Sequence, residues 1–308
     1  MFHMKHLIAP PETQPPICDY EGSSYRTEFW GGDQREYENL AERIALRALL
    51  PTGSQRLVEI GAGFGRLADL YQDHREVVLL DYSKSILREA QARLGCDPRY
   101  IYVAGNIYDL PLADQAVETL VLVRVIHHIQ DVPRALAELV RVLKGHGALV
   151  MEYASKRHLK AIVRYLLRSQ AWSPFDRRPY EFVPLNFNFH PAWMAARLRA
   201  AGLTIEEERA VSWFRSPALK RLVGANRLAA FDRLLQPLGR WLKLTPSIFL
   251  RARAPAREAP QAISLFRCPI CHSQALTPDP DGLTCQGCGR RWPLDDGIYD
   301  FKTPAQPA

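Results

Sequence analysis

Two groups of residues in this chain have the types and spacing that do chemistry. The first is Glu59, Gly61, Ala62, Gly63 and Gly65, inside Leu57 to Leu70, LVEIGAGFGRLADL. Glycines there permit φ > 0 and let a ligand lie against the backbone. The spacing is GxGxG rather than the dinucleotide GxGxxG, and a carboxylate two residues before the first glycine would repel a pyrophosphate over the turn. It suits a cationic ligand. The second group is Cys268, Cys271, Cys285 and Cys288, two CxxC pairs separated by thirteen residues. Two such knuckles on hairpins can place four thiolates tetrahedrally around zinc, and with no open position the site is structural. Cys18 and Cys96 stand alone. In a chain whose first residues, MFHMKHLIAPPETQPP, show no signal-peptide core, this cysteine usage points to metal rather than disulfides. A cytoplasmic location is expected.

The elements that must hold the first group follow from the apolar pattern. Leu57–Ile60 reads as a strand running into the glycine turn and then a helix. A second strand, Val77–Leu80, ends in Asp81 before a helix, Lys84–Leu94. An acid at that strand end can accept two ribose hydroxyl hydrogens, although it could also cap the helix, a role open to Ser83. With the glycines, the ribose reading points to S-adenosylmethionine (SAM), which carries an ammonium and a sulfonium but no phosphate. Further strands are expected at Tyr100–Val103, Thr119–Val125 and Ala148–Tyr153, with a helix at Val132–Leu143 and a turn at Lys144–Gly147. Strands apolar on both faces and alternating with helices require a parallel sheet covered on both sides, with the ligand at the strands' carboxyl ends. Ahead of them, a helix with Leu40, Ile44, Ala45 and Ala48 on one face follows an aromatic stretch. Its Tyr25, Trp30, Arg35 and Tyr37 could form a lid or simply pack under the helix.

The set VEIGAGFGR, LLDYS, GNIYDLPLADQAVETLVLVRVIHHIQDVPRALAELVRVLKGHGALVMEY resembles a class I SAM-dependent methyltransferase of the type 11 group, over Leu57 to Tyr153. The resemblance implies that Glu59 and Gly61 to Gly65 line the methionine end, that Asp81 holds the ribose with Tyr82 beside it, and that Asn106 and Ile107 flank the adenine. Asn106 departs from the pattern, which usually has an acid there. Arg124 would lie near the cofactor carboxylate or the substrate. His127 is a candidate general base, against helix capping or packing for it and His128.

From residue 156 the character changes. Of the 40 Lys and Arg that give the chain its net charge of +7, 20 fall in residues 156–257 beside 6 Asp and Glu. Lys156–Arg168 reads as a basic amphipathic helix, and Pro217–Leu244 as another basic helical stretch. His190–Ala201 reads as a helix, with strands at Thr204–Val211 and Ser247–Ala254. Such a surplus attracts RNA or an anionic membrane, or solubilises a helical face. Beyond a linker, Phe266–Phe301 resembles the zinc-ribbon activator subunit of tRNA, rRNA and release-factor methyltransferases, here in cis. The ribbon is expected to dock on the transferase through Trp292, Ile298 and Tyr299. His272 is expected to be exposed and not a fifth ligand.

The expected architecture is thus α/β: an N-terminal segment (1–36), a Rossmann-like doubly wound domain (37–255) with helical insertions at 156–189 and 214–245, a linker (256–264) and a small C-terminal zinc ribbon (265–303). The expected function is methyl transfer from SAM to a small-molecule or lipid-like acceptor. The alternative acceptor is RNA or a translation protein, with the ribbon as activator or recruiter. An N-P-P-Y motif of exocyclic-amine methylation is absent, since Arg124-Val-Ile-His127 stands at its place.

Overall fold

The structure is a computed structural model that describes residues 15–23, 30, 35–258 and 264–305. Most of the N-terminal arm, the lid candidate Tyr25 and the middle of the linker lie outside the described residues.

Helix α1 (Glu36–Leu49) precedes strand β1 (Arg56–Ile60), followed by β2 (Glu76–Asp81), α2 (Lys84–Leu94), β3 (Tyr100–Ala104), β4 (Val117–Leu122), α3 (Val132–Val142) and β5 (Leu143–Ala154). Helix α2 starts where Ser83 accepts the Ile86 N–H and stops at Gly95, whose φ is 73°. Asp131 caps α3 in the same way through the Arg134 N–H. The five strands are parallel in the order β3-β2-β1-β4-β5. Leu57, Val58, Val77, Val78, Leu79, Leu120 and Val121 are fully buried, as a sheet covered on both faces requires. Helices α1 and α2 cover one face with Leu46 and Leu87; α3 covers the other with Leu136 and Leu139.

Several expected boundaries move for local reasons. No α-helix follows the glycine turn. Gly61, Gly63 and Gly65 have φ of 69°, 54° and 71°, so the right-handed helix cannot run through them, and a single 3-10 turn, Ala68–Leu70, carries the chain to β2. Strand β4 ends at Leu122 rather than Val125, because Arg124 takes φ 62°. The expected turn at Lys144–Gly147 is instead a bulge within β5, where the register with β4 shifts between Val117 and Thr119. On α1 the buried face is rotated from the expected stripe: Tyr37, Glu38, Ala41, Glu42, Ala45, Leu46 and Leu49 are buried while Ala48 is exposed. Two carboxylates occupy that face because each has a cationic partner inside.

After β5 come α4 (Leu159–Leu166), a hairpin of β6 (Tyr180–Val183) and β7 (Asn186–Asn188), α5 (Pro191–Ala200), β8 (Thr204–Val211), α6 (Pro217–Val223), α7 (Ala225–Leu235) and β9 (Ser247–Arg253). Helix α4 is shorter than expected because Lys156 is buried, donating to the Arg178 carbonyl at 2.9 Å, and His158 caps the helix through the Ala161 N–H. The stretch 217–244 is divided at Gly224, φ 87°. Strand β9 lies antiparallel to both β5 and β8, and adds two strands beyond β5.

The cysteine-bearing segment forms β10 (Leu276–Asp279), β11 (Gly282–Cys285), β12 (Arg291–Asp295) and β13 (Ile298–Asp300). Strand β13 pairs parallel with β3, Ile298 opposite Tyr102 and Asp300 opposite Ala104, so the sheet has eleven strands among the described residues. Ile298 is fully buried there, and Lys84 of α2 pairs with Asp300 at 2.8 Å. Arg267 pairs with Asp114 at 3.0 Å, and its N–H donates to the Pro111 carbonyl. The Trp292 ring lies 5.4 Å from that of Phe301 and the Tyr299 ring 4.7 Å from that of Phe266, and Trp292 belongs to the same buried apolar cluster as Leu110 and Leu112. Ending the chain at Ala259 removes these contacts and bares the edge of β3. At ~2–4 °C per kcal/mol for a chain of this size, the shortened protein should melt at least several degrees lower, which calorimetry measures; an unchanged melting temperature would contradict the packing role.

Candidate functional site

A cavity opens at the carboxyl ends of β1, β2 and β4, lined by Glu59, Gly61, Ala62, Gly63, Asp81, Tyr82, Ile107 and Arg124 among others. The glycine turn is tied to β2: the N–H groups of Gly61 and Ala62 both donate to the Leu80 carbonyl, at 2.7 and 3.1 Å. A Cβ on Gly61 would come within 2.2 Å of Val125 Cγ2, so only glycine lets the backbone pass. Gly65 does not line the cavity; a Cβ there would meet Leu94 at 3.0 Å and Ala90 at 3.4 Å.

Asp81 accepts the Gly63 N–H and the Ser83 N–H, each at 2.9 Å. One carboxylate therefore shapes the turn and the start of α2 together while still facing the cavity. Burial pushes its pKa up, against the pull of those two donors. Glu59 is buried, and its Oε2 has no hydrogen-bond partner. Burial pushes the carboxyl up to about 8, with the Arg66 guanidinium and the neighbouring Tyr71 hydroxyl pulling the other way. An unpartnered carboxyl oxygen on a cavity wall is costly without a cationic ligand to meet it.

Asn106 is not on the wall, although its neighbours Gly105 and Ile107 are. Its Oδ1 accepts the Tyr108 N–H at 2.9 Å, an Asx turn that shapes the loop. Arg124 sits on the wall and pairs with the fully buried Glu42 of α1, which also pairs with Arg66 at 2.8 Å. Trp30 lies over both cations, 4.0 Å from Arg66 and 5.1 Å from Arg124. The imidazole on the wall belongs to His128, not His127. The Nδ1 of His128 lies 2.9 Å from the Leu185 carbonyl, which fixes the proton there and leaves Nε2, 3.2 Å from the Tyr20 hydroxyl, as acceptor. Burial pushes both histidines down, so they are neutral near pH 7.

Ile17, Cys18 and Tyr20 close the cavity from the N-terminal side. Their Pro-rich surroundings carry no periodic signal that would have singled them out. Phe64 and Arg66 lie within the glycine run and were legible as neighbours only.

At the other end of the chain, the Sγ atoms of Cys268, Cys271, Cys285 and Cys288 lie within 4.8 Å of one another. Cys268 to Cys288 is 3.8 Å and Cys271 to Cys285 is 3.4 Å. Four sulfurs each ~2.3 Å from a tetrahedral zinc stand ~3.8 Å apart, so the donor set and its size both fit that ion. His272 is exposed and turned toward Asp109, 3.6 Å away.

Residues 58–151 match the sequence profile of the methyltransferase domain family. A Mycobacterium tuberculosis protein named "Probable S-adenosylmethionine-dependent methyltransferase" is 34% identical over 137 residues, 44% of this chain and 44% of that one. A demethylmenaquinone methyltransferase of Clavibacter sepedonicus is 28% identical over 174 residues, 53% of this chain and 71% of that one. The chain thus spans under half the length of the first of these relatives. Among solved structures, one chain of the complex between the Haloferax volcanii Trm112 methyltransferase activator and a candidate methyltransferase matches with a TM-score of 0.51 and 18% identity, over 72% of this chain and 92% of that one. The fold is the Rossmann-like fold of class I SAM-dependent methyltransferases, and the match to the methyltransferase domain family is confined to residues 58–151.

The raised pKa of Glu59 has a measurable sign. Between pH 4.5, the ordinary value, and about 8 the folded protein retains a proton that the unfolded chain has released. This carboxyl therefore makes stability fall as pH rises through that window. Glu59→Gln should flatten the fall, as followed by denaturant unfolding across the window.

Proposed function

We propose that the protein is a SAM-dependent methyltransferase whose acceptor is a small molecule or a lipid-like molecule. The observation that carries the cofactor reading is the buried, unpartnered Glu59 Oε2 on a wall shared with the glycine turn and Asp81. SAM, when bound, supplies an electrophilic methyl on a sulfonium. Glu59 would meet its ammonium, Asp81 the ribose hydroxyls, and Tyr82 and Ile107 the adenosine side. Holding the acceptor in line accounts for much of the acceleration available to such a displacement. If the acceptor carries a proton at attack, His128 is the better-placed base, since its Nε2 is neutral and faces the cavity through Tyr20. The apolar residues Ile17, Val125 and Ile129 on the same wall favour an acceptor with hydrocarbon character, as does the name of the Clavibacter relative.

The second reading is an RNA or translation-protein acceptor with the cysteine segment as activator in cis. It is favoured by Lys302, just past β13, whose ammonium lies 4.7 Å over the ring of Tyr82 on the cavity wall. In either reading the four cysteines hold one structural zinc, which supplies stability that so small a segment cannot draw from its own core.

Labelled SAM incubated with lipid and metabolite extracts and, separately, with RNA decides the acceptor. Transfer to the extract supports the first reading and transfer to RNA alone overturns it. Asp81→Ala should weaken SAM by ~1.5–3 kcal/mol, the range for hydrogen bonds to a charged group. Calorimetry giving unchanged affinity in the folded variant would remove the ribose assignment. Metal analysis of protein purified without chelator should find one zinc per chain, and finding none would refute the site.

A further inference from the structure

Two helical segments leave the sheet at the end where the cavity opens. Ala154 of β5 and Val211 of β8 both pair with Ser247 of β9, so α4 and α6 start from the same row of the sheet. The Leu159 N–H, at the start of α4, donates to the carbonyl of Leu244 at 2.8 Å, which joins the stretch after α7 to the first segment.

Both segments present apolar side chains to solvent. On α4 and the residue after it, Leu159, Val163, Leu166 and Leu167 form one row, with Leu166 69% and Leu167 73% exposed; only Ala161 of this helix is buried. Positions i, i+4, i+7 and i+8 share a face. Lys160, Arg164 and Arg168, all exposed, form the neighbouring row. On the second segment Leu222, Phe231 and Leu234 are exposed beside a groove of wholly apolar lining between α6 and α7, and Trp241 and Leu242 follow. Arg221, Arg227 and Arg233 are exposed on the same helices, whose only acid, Asp232, is fully buried against Tyr37.

We propose that this end of the molecule docks on an anionic membrane surface, with α4 lying in the interface and the α6–α7 groove beside it. A leucine row flanked by a cationic row is the arrangement of a helix that sinks its apolar face to the acyl boundary and keeps its charges at the phosphates. RNA accounts for the cations and for the exposed rings of Phe231 and Trp241 but not for the leucine and valine row of α4, which offers no flat face for a base. Among the described residues no helix is long and apolar enough to cross a membrane, so the contact is peripheral. As a route for an acceptor into the cavity, the surface rests on the lipid-like reading above; as a binding surface it stands apart from it.

The test is flotation of the full-length protein with vesicles of phosphatidylcholine alone and of phosphatidylcholine with phosphatidylglycerol, alongside SAM calorimetry. The expected result is binding to the anionic vesicles only, weakened at least ~tenfold in Leu166→Glu/Leu167→Glu and weakened also in Arg164→Gln/Arg168→Gln, with SAM affinity unchanged in both. These exposed residues are clear of the cavity, so an unchanged SAM affinity reports an intact fold. No flotation with either vesicle, equal flotation of the leucine variant, or retention by RNA without flotation overturns the proposal. Flotation in a protein that fails to bind SAM leaves the surface standing and removes the cofactor reading instead.

Discussion

The buried carboxylate of Glu42 holds together parts of the molecule that the sheet alone does not. It is inside α1, fully buried, with Arg66 from the glycine run on one oxygen and Arg124 from the exit of β4 on the other. A carboxylate removed from water is tolerable only with such partners, and the partners are equally bound to it. Both arginines then carry Trp30 on their faces. The same helix reaches α7 through the Tyr37 hydroxyl on Asp232 and α6 through Glu38 on Lys220. The cavity wall, the N-terminal aromatic and the second exposed segment are therefore tied to one helix through charge and hydrogen bonding as well as through its apolar stripe.

That explains which parts were legible in the sequence. Apolar runs such as Val77–Leu80 and Leu120–Val123 can only be strands covered on both faces, and the order of strands and helices up to β5 follows from them. Glu42 was not legible, because a charge on an amphipathic helix ordinarily reads as solvent-facing, and only the distant Arg66 and Arg124 reverse that. The pair His127–His128 shows a smaller ambiguity. The 3-10 turn at Ile126–His128 sets which ring faces inward, and sequence spacing carries no phase for so short a turn. The helix expected after the glycines is reduced to the 3-10 turn Ala68–Leu70, entered through the Ala68 N–H on the Gly65 carbonyl at 3.1 Å.

The two carboxyl groups on the cavity wall, Asp81 and Glu59, differ in how they are held. Asp81 is held by two backbone donors and so doubles as a structural clamp on the turn. Glu59 has no such support: its Oε2 is buried without a hydrogen-bond partner. The first therefore shapes the glycine turn and the start of α2, and the second leaves an acceptor oxygen on the wall.

Strand β3 sits between β2 and β13, yet β13 comes far later in the chain. While the polypeptide is being made, the transferase sheet can assemble from β1 to β5 and still leave one side of β3, with Tyr100 and Tyr102, unpaired. An open strand edge of that kind invites pairing with another nascent copy. The cysteine-bearing segment is thus also a guard against misassembly, and its effect depends on how soon it folds after leaving the ribosome. A fault in that segment would then show first as lost solubility of newly made protein, while molecules already folded kept their sheet intact.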